Sequence, residues 1–283
     1  MVLESLISPI TAEKKPWEMF FIGILFSSVA IFLSIWIFEQ YASLIMVFFI
    51  VMACTPLVFS ALAIEEKKDL EEIGEKKLLE EHAKLIFFLL MLFLGVAFSI
   101  AMWYILLPQP MSDNLFNIQK NTITEINNQV TMKAISNSTL FSKIFFNNMR
   151  VLIIALFFAF IYGFGSLFIL IWNASVIGVA LGAFIKSKIA EIAATAGYLK
   201  ITAYLSTTSH GLLRYFTHGV FEIGAYFIAG LAGSIISIAI INHDFKTKKF
   251  EKILFDSVNL LIISILLLVF AAFLETFVTP FLF

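Results

Sequence analysis

Seven apolar runs, most of them as long as a bilayer-crossing helix needs, constrain this chain more than any motif in it. A helix rises about 1.5 Å per residue and the hydrocarbon core is about 30 Å thick, so roughly 20 apolar residues span it. The runs fall at 20–38, 43–64, 85–107, 150–172, 174–185 with an extension left open, 213–241 and 254–275. In lipid every backbone N–H and C=O must be satisfied within the chain, which leaves helices or closed barrels. Runs of this length read as helices. The expected fold is an all-α polytopic membrane protein of about seven transmembrane helices.

Composition agrees, with 60% hydrophobic and 14% charged residues and a mean hydropathy of +0.97. A net charge of -1 gives no electrostatic basis for binding nucleic acid. The single Cys54 excludes an intrachain disulfide and a thiolate metal cluster. The first 19 residues carry Glu4, Glu13, Lys14, Lys15 and Pro16, and no small-residue cleavage site follows the first run. That run is expected to be retained as a span.

Orientation follows from lysines in the short connections. The N-terminal tail, the 65–84 connection and the 242–253 connection hold 11 of the 17 lysines and alternate consistently for one side. This predicts the N-terminus inside, the C-terminus outside and a multi-pass protein of the plasma membrane. It divides the chain into an N-terminal two-span hairpin, 1–84, whose connection is a charged, solvated helical extension, and a five-span core, 85–283.

The largest outside segment of the core is 108–149. Leu115, Ile118, Thr122, Ile126 and Val130 share a helix face behind a Ser112 or Asp113 cap, which predicts a short amphipathic helix. The following FSKIFFNNMR is expected to lie along the interface before span four turns in. Lys186, Lys188 and Glu191 interrupt span five after about 12 apolar residues, so 186–212 reads as an interfacial or re-entrant helix.

The chemistry-bearing residues gather by depth. His218 and Glu222 lie one turn apart near the outer end of span six, Glu275 lies at the outer end of span seven, and Arg150 at that of span four. Ionisable groups at membrane depth are costly and face the bundle interior. The expected arrangement is an intramembrane polar cluster of Arg150, His218, Glu222 and Glu275, with Arg150 paired to a carboxylate. One His and two carboxylates plus water also suit a catalytic zinc. The alternative is therefore a membrane-embedded, metal-dependent hydrolase using His218, Glu222 and Glu275, although no HExxH pattern supports it. A transporter is the third reading, and the sequence offers few ionisable groups for a path.

Below the polar pair, Ala225, Ala229 and Gly233 form a small-residue stripe, and span five repeats the device with Ala174, Gly178 and Gly182. Such residues let helices approach closely in lipid. Gly163 and Gly165 are expected to do the same in span four. Asn173 is expected to cap span five across a tight IWNAS turn. Such faces predict a homo-oligomer or a subunit of a membrane complex.

With these residues placed, 108–283 resembles the stage II sporulation protein M family. The matching pieces are NNMR at 147–150, YGFGS, WNASVIGVALG, HGVFEIGAYFIAGLAG and FLETFVTP, in that order over the last spans. The resemblance implies a membrane scaffold or remodelling component without chemistry of its own, organising protein partners at the outer face and needing no cofactor. A wall-hydrolase partner is one option the resemblance opens.

Overall fold

The computed structural model describes residues 15–70, 75–130, 137–162, 165–194, 198–241 and 247–282. Among the described residues there are helices and no strands. Helix α1 (Glu18–Ile37) meets α2 (Ala42–Leu70) through a 3-10 turn, and α3 (Glu75–Leu106) follows. Two short helices, α4 (Gln109–Leu115) and α5 (Asn117–Val130), precede α6 (Asn137–Tyr162), α7 (Gly165–Ala194) and α8 (Tyr198–Ile241). Helix α9 (Lys248–Phe273) passes through a π turn, Leu274–Val278, into α10 (Thr279–Leu282).

Among the described residues seven stretches are long and apolar enough to cross a bilayer: Glu18–Ile37, Glu39–Leu62, Ala83–Leu106, Asn137–Phe158, Leu167–Ala190, Thr217–Ser237 and Phe250–Leu282. The protein is a multi-pass membrane bundle. Exposed Trp17 flanks one end of α1, and Trp36, Phe38 and Tyr41 flank the other. Large amphipathic rings favour the two membrane interfaces, so these positions mark the limits of the first span.

Three expected boundaries move. Span four begins at Asn137 rather than 150, because FSKIFFNN continues the α6 helix instead of lying along the interface. Asn173 is not a cap, and IWNAS is not a turn. It lies inside α7, where its Nδ2 donates to Ile169 O at 2.8 Å. A mid-helix Asn can satisfy its amide on the carbonyl four residues back, whereas the glycine pair of YGFGS disfavours helix. The described part of α6 runs to Tyr162 and that of α7 starts at Gly165; Gly163 lies outside the described residues. Span five is then complete, and α7 carries Lys186 and Lys188 as it continues to Ala194. Residues 198–216 are likewise the leading part of α8, continuous with span six rather than a separate re-entrant helix.

The amphipathic helix expected after residue 112 is split in two. Pro108 and Pro110 start α4 at Gln109, so Ser112 and Asp113 fall inside a helix, and the chain breaks at Phe116. The break shifts the buried face to Leu115, Phe116 and Gln119, while Ile118 is exposed.

Helices α3 and α8 form the centre. Their spans are 61% and 56% buried, against 17–44% for the other five. Glycine sets the closest contacts around α3. A Cβ on Gly23 would stand 2.6 Å from Leu92 O, and one on Gly95 would collide with the Phe20 carbonyl, so α1 and α3 touch backbone to backbone. On another side of α3, a Cβ on Gly178 would lie 2.7 Å from Ala97 O, and one on Gly182 2.8 Å from the Tyr104 side chain. Ala174, on the same stripe, is fully buried. Serines link α1 and α3 as well: Trp103 Nε1 donates to Ser28 Oγ at 2.9 Å, and Ser28 and Ser99 share a bond of 3.2 Å.

Candidate functional site: a polar layer at one end of the bundle

The ends of α6, α8 and α9 nearest the α4–α5 collar carry a chain of polar contacts. Asn148 Nδ2 on α6 donates to the Glu222 carboxylate on α8. One turn earlier on α8, His218 Nε2 stands 4.0 Å from Glu275 Oε1. Glu275 sits in the π turn that ends α9. Such turns insert a residue into the helical ladder and alter the direction of the side chains beyond it. Beside them the Thr217 and Thr279 hydroxyls are 3.1 Å apart. Deeper in the same interface, Ser264 Oγ donates to Ala225 O at 2.7 Å.

Of the four ionisable residues expected in this layer, His218 stands against Glu275, and Glu222 accepts from Asn148. Arg150 does not join them. It is exposed, while Asn148 is buried. Two residues advance a helix by about 200°, so the two side chains leave α6 on different faces. Among the described residues no ion pair links Arg150 to either carboxylate, and an amide–carboxylate bond stands where a guanidinium was expected. The sequence signal for Asn148 was available: a polar residue inside NNMR, in a run otherwise made for lipid. Its neutrality hid it beside a charged neighbour.

The small-residue stripe of α8 backs this layer. Ala225 and Ala229 are fully buried and, with Leu152 of α6 and Leu268 of α9, make a compact apolar cluster; Gly233 is buried too. Gly219 and Gly224 each look into open space, since a Cβ on either would meet nothing within 4 Å.

A second polar group fixes the collar at the same end. Ser43 Oγ donates to Gln119 Oε1 at 2.7 Å, and Gln119 Nε2 donates to Ser175 Oγ at 3.3 Å, joining α5 to α2 and α7. Lys186 Nζ donates to Tyr104 O and Leu107 O, each at 3.2 Å, satisfying carbonyls at the end of α3. Lys120 pairs with Asp113 and stands 5.2 Å from the Tyr104 ring centre. Its hydrogen bond holds the Asp113 carboxyl below the usual carboxylate range. Burial works against the Lys120 charge, but hydrogen bonds to Asp113 and Tyr104 raise its pKa above the ordinary lysine value. Gln119 is the residue sequence reasoning missed here, because the helix break at Phe116 changes which face is buried.

Among the described residues no group of three His, Cys, Asp or Glu side chains is placed to hold a metal ion.

Seven apolar spans among the described residues, three of them joined by amide, imidazole and carboxyl groups, define a polytopic membrane protein. The sequence profile of the Stage II sporulation protein M family matches residues 84–280, and the chain belongs to that family. It is also 30% identical over 167 residues to an uncharacterized protein of Methanocaldococcus jannaschii, covering 58% of this chain and 84% of that one. No solved structure matches.

Proposed function

We propose that the protein is a non-enzymatic scaffold or membrane-remodelling component of the plasma membrane. In this reading the N-terminus is inside and the C-terminus outside, as the lysine-rich connections favour. The polar layer then faces outward, and partner proteins assemble on the collar and on the leading part of α8. A second copy of the chain or other subunits of a membrane complex join through the small-residue faces.

The observation that carries the reading is the length of α8. At 44 residues it extends about 66 Å, roughly twice the hydrocarbon thickness. Its span occupies Thr217–Ser237, so residues 198–216 form a helical arm beyond the lipid, on the side where α4 and α5 lie. The contacts of Glu222 and Gln119 join helices to one another, which suits a rigid platform better than a reaction centre.

Photo-crosslinking in native membranes tests this. A benzophenone amino acid at exposed Asn121, on the collar, should yield discrete protein adducts, and one at lipid-facing Ile262 should not. Glu222→Ala should reduce the Asn121 adducts by loosening the layer beneath. Equal and diffuse labelling from both positions would count against a partner-organising face.

A further inference from the structure

A cavity of about 30 Å³ lies between α2, α3, α6, α7 and α8, on the side of the bundle away from the collar. Its wall is largely apolar, with Val58, Leu89, Phe93 and Leu231 among the lining residues. Three polar residues also line it: Asn173, Tyr226 and Ser234. Ser234 is the informative one. In an apolar helix a serine usually returns its hydroxyl to a carbonyl three or four residues back. Thr55 does so to Val51 O at 2.7 Å and Ser60 to Pro56 O at 2.8 Å. The Ser234 hydroxyl is fully buried and has no hydrogen-bond partner among the described residues. Asn173 commits its Nδ2 to Ile169 O, which leaves its amide oxygen for a ligand.

We propose that this cavity is an internal hydration site holding water between Ser234 and Asn173. A water needs about 10–15 Å³ of such space and two to four polar partners, so there is room for about two. The apolar wall would leave an ion without compensation. Tyr226 extends the site toward the polar layer, because it lines the cavity and lies one turn from Glu222 on α8. The inference is independent of the scaffold reading.

Radiolytic hydroxyl-radical footprinting of the wild-type chain in lipid nanodiscs tests it, since radicals born from a trapped water mark the side chains around it. Phe93 and Leu231 line the cavity, whereas Phe88 and Leu92 are equally buried on α3 but do not. Oxidation of Phe93 and Leu231 should exceed that of Phe88 and Leu92 by at least about fivefold if an ordered water is present. Ser234→Val should bring Phe93 down to the level of Phe88 by removing the hydroxyl and filling the space. Labelling at Phe93 and Leu231 no greater than at Phe88 and Leu92 would show a dry cavity and overturn the proposal, as would undiminished Phe93 labelling in a folded Ser234→Val protein. The wild-type comparison decides by itself if that variant does not fold.

Discussion

The Asn148–Glu222 bond should be energetically coupled, and a double-mutant cycle measures it. Asn148→Ala leaves a partly buried carboxylate without its donor, Glu222→Ala leaves a buried amide without its acceptor, and the double variant leaves neither orphaned. Interhelical hydrogen bonds in membranes average about 0.6 kcal/mol with a maximum near 1.7, because partners are also found in the unfolded state in lipid. Hydrogen bonds to charged groups in proteins run at about 1.5–3 kcal/mol. Asn148 is 7% exposed, so water cannot readily replace the carboxylate as its partner. The expected coupling is therefore about 1–2 kcal/mol, above the membrane average. Unfolding of the four proteins in bicelles, followed by steric trapping, reads the four stabilities. Independent sites add within about 0.3–0.5 kcal/mol, so a coupling inside that limit would refute the claim that this bond locks α6 to α8.

Glycines on opposite kinds of face should respond with opposite sign in the same unfolding assay. Gly178→Val drives a side chain into Ala97 O and should cost at least about 1–3 kcal/mol, while Gly224→Ala enters open space and should gain about 0.5–1 kcal/mol. If Gly224→Ala instead weakens assembly, that open face is occupied by another chain in the membrane. The collar should loosen with acid: the Asp113 carboxyl is held below its usual range, so its contribution is present above the unfolded value near pH 4 and is lost as pH falls through the lower folded value. Asp113→Asn should reproduce that loosening at neutral pH, read as faster amide exchange over 109–120 after correction for intrinsic rates.

The spans were legible because lipid imposes a length and a polarity that few other sequences satisfy. Their ends were not, where a run contained residues at home in either setting. FSKIFFNN has enough polar residues to resemble an interface, yet it is helical and continuous with the rest of α6. At the α6–α7 junction a polar Asn173 drew the boundary away from two glycines that disfavour helix more strongly. In the polar layer, charge made His218, Glu222 and Glu275 visible. Charge could not say that Arg150 leaves α6 on another face, because helical phase decides that and the true start of the helix was displaced. Gly23 and Gly95 went unread although Ser27 and Ser99 follow them at the same four-residue spacing that marked Gly178 and Gly182.

The unequal packing of the bundle explains why the polar contacts collect where they do. The main core joins phenylalanines and large aliphatic side chains of α1, α2, α3 and α7, with Ile253 and Leu260 of α9, to one face of α8. Helix α6 contributes none of the buried members of that core. Its span is 17% buried, and its cluster with α8 and α9 rests on Leu152, Ala225, Ala229 and Leu268. Dispersion grows with the number of atoms in contact, so this small cluster, with Phe145 and Met149 packed against it, holds α6 less firmly than Phe88, Phe93 and their neighbours hold α3. Small residues do allow backbones close together, but they leave rotation and sliding of α6 weakly opposed. A directional bond opposes both. Asn148 meeting Glu222 sets the depth and phase of α6, while His218 with Glu275 and Thr217 with Thr279 do the same for the end of α9. The Asn148–Glu222 bond is thus placed on α6, the span with the smallest buried share.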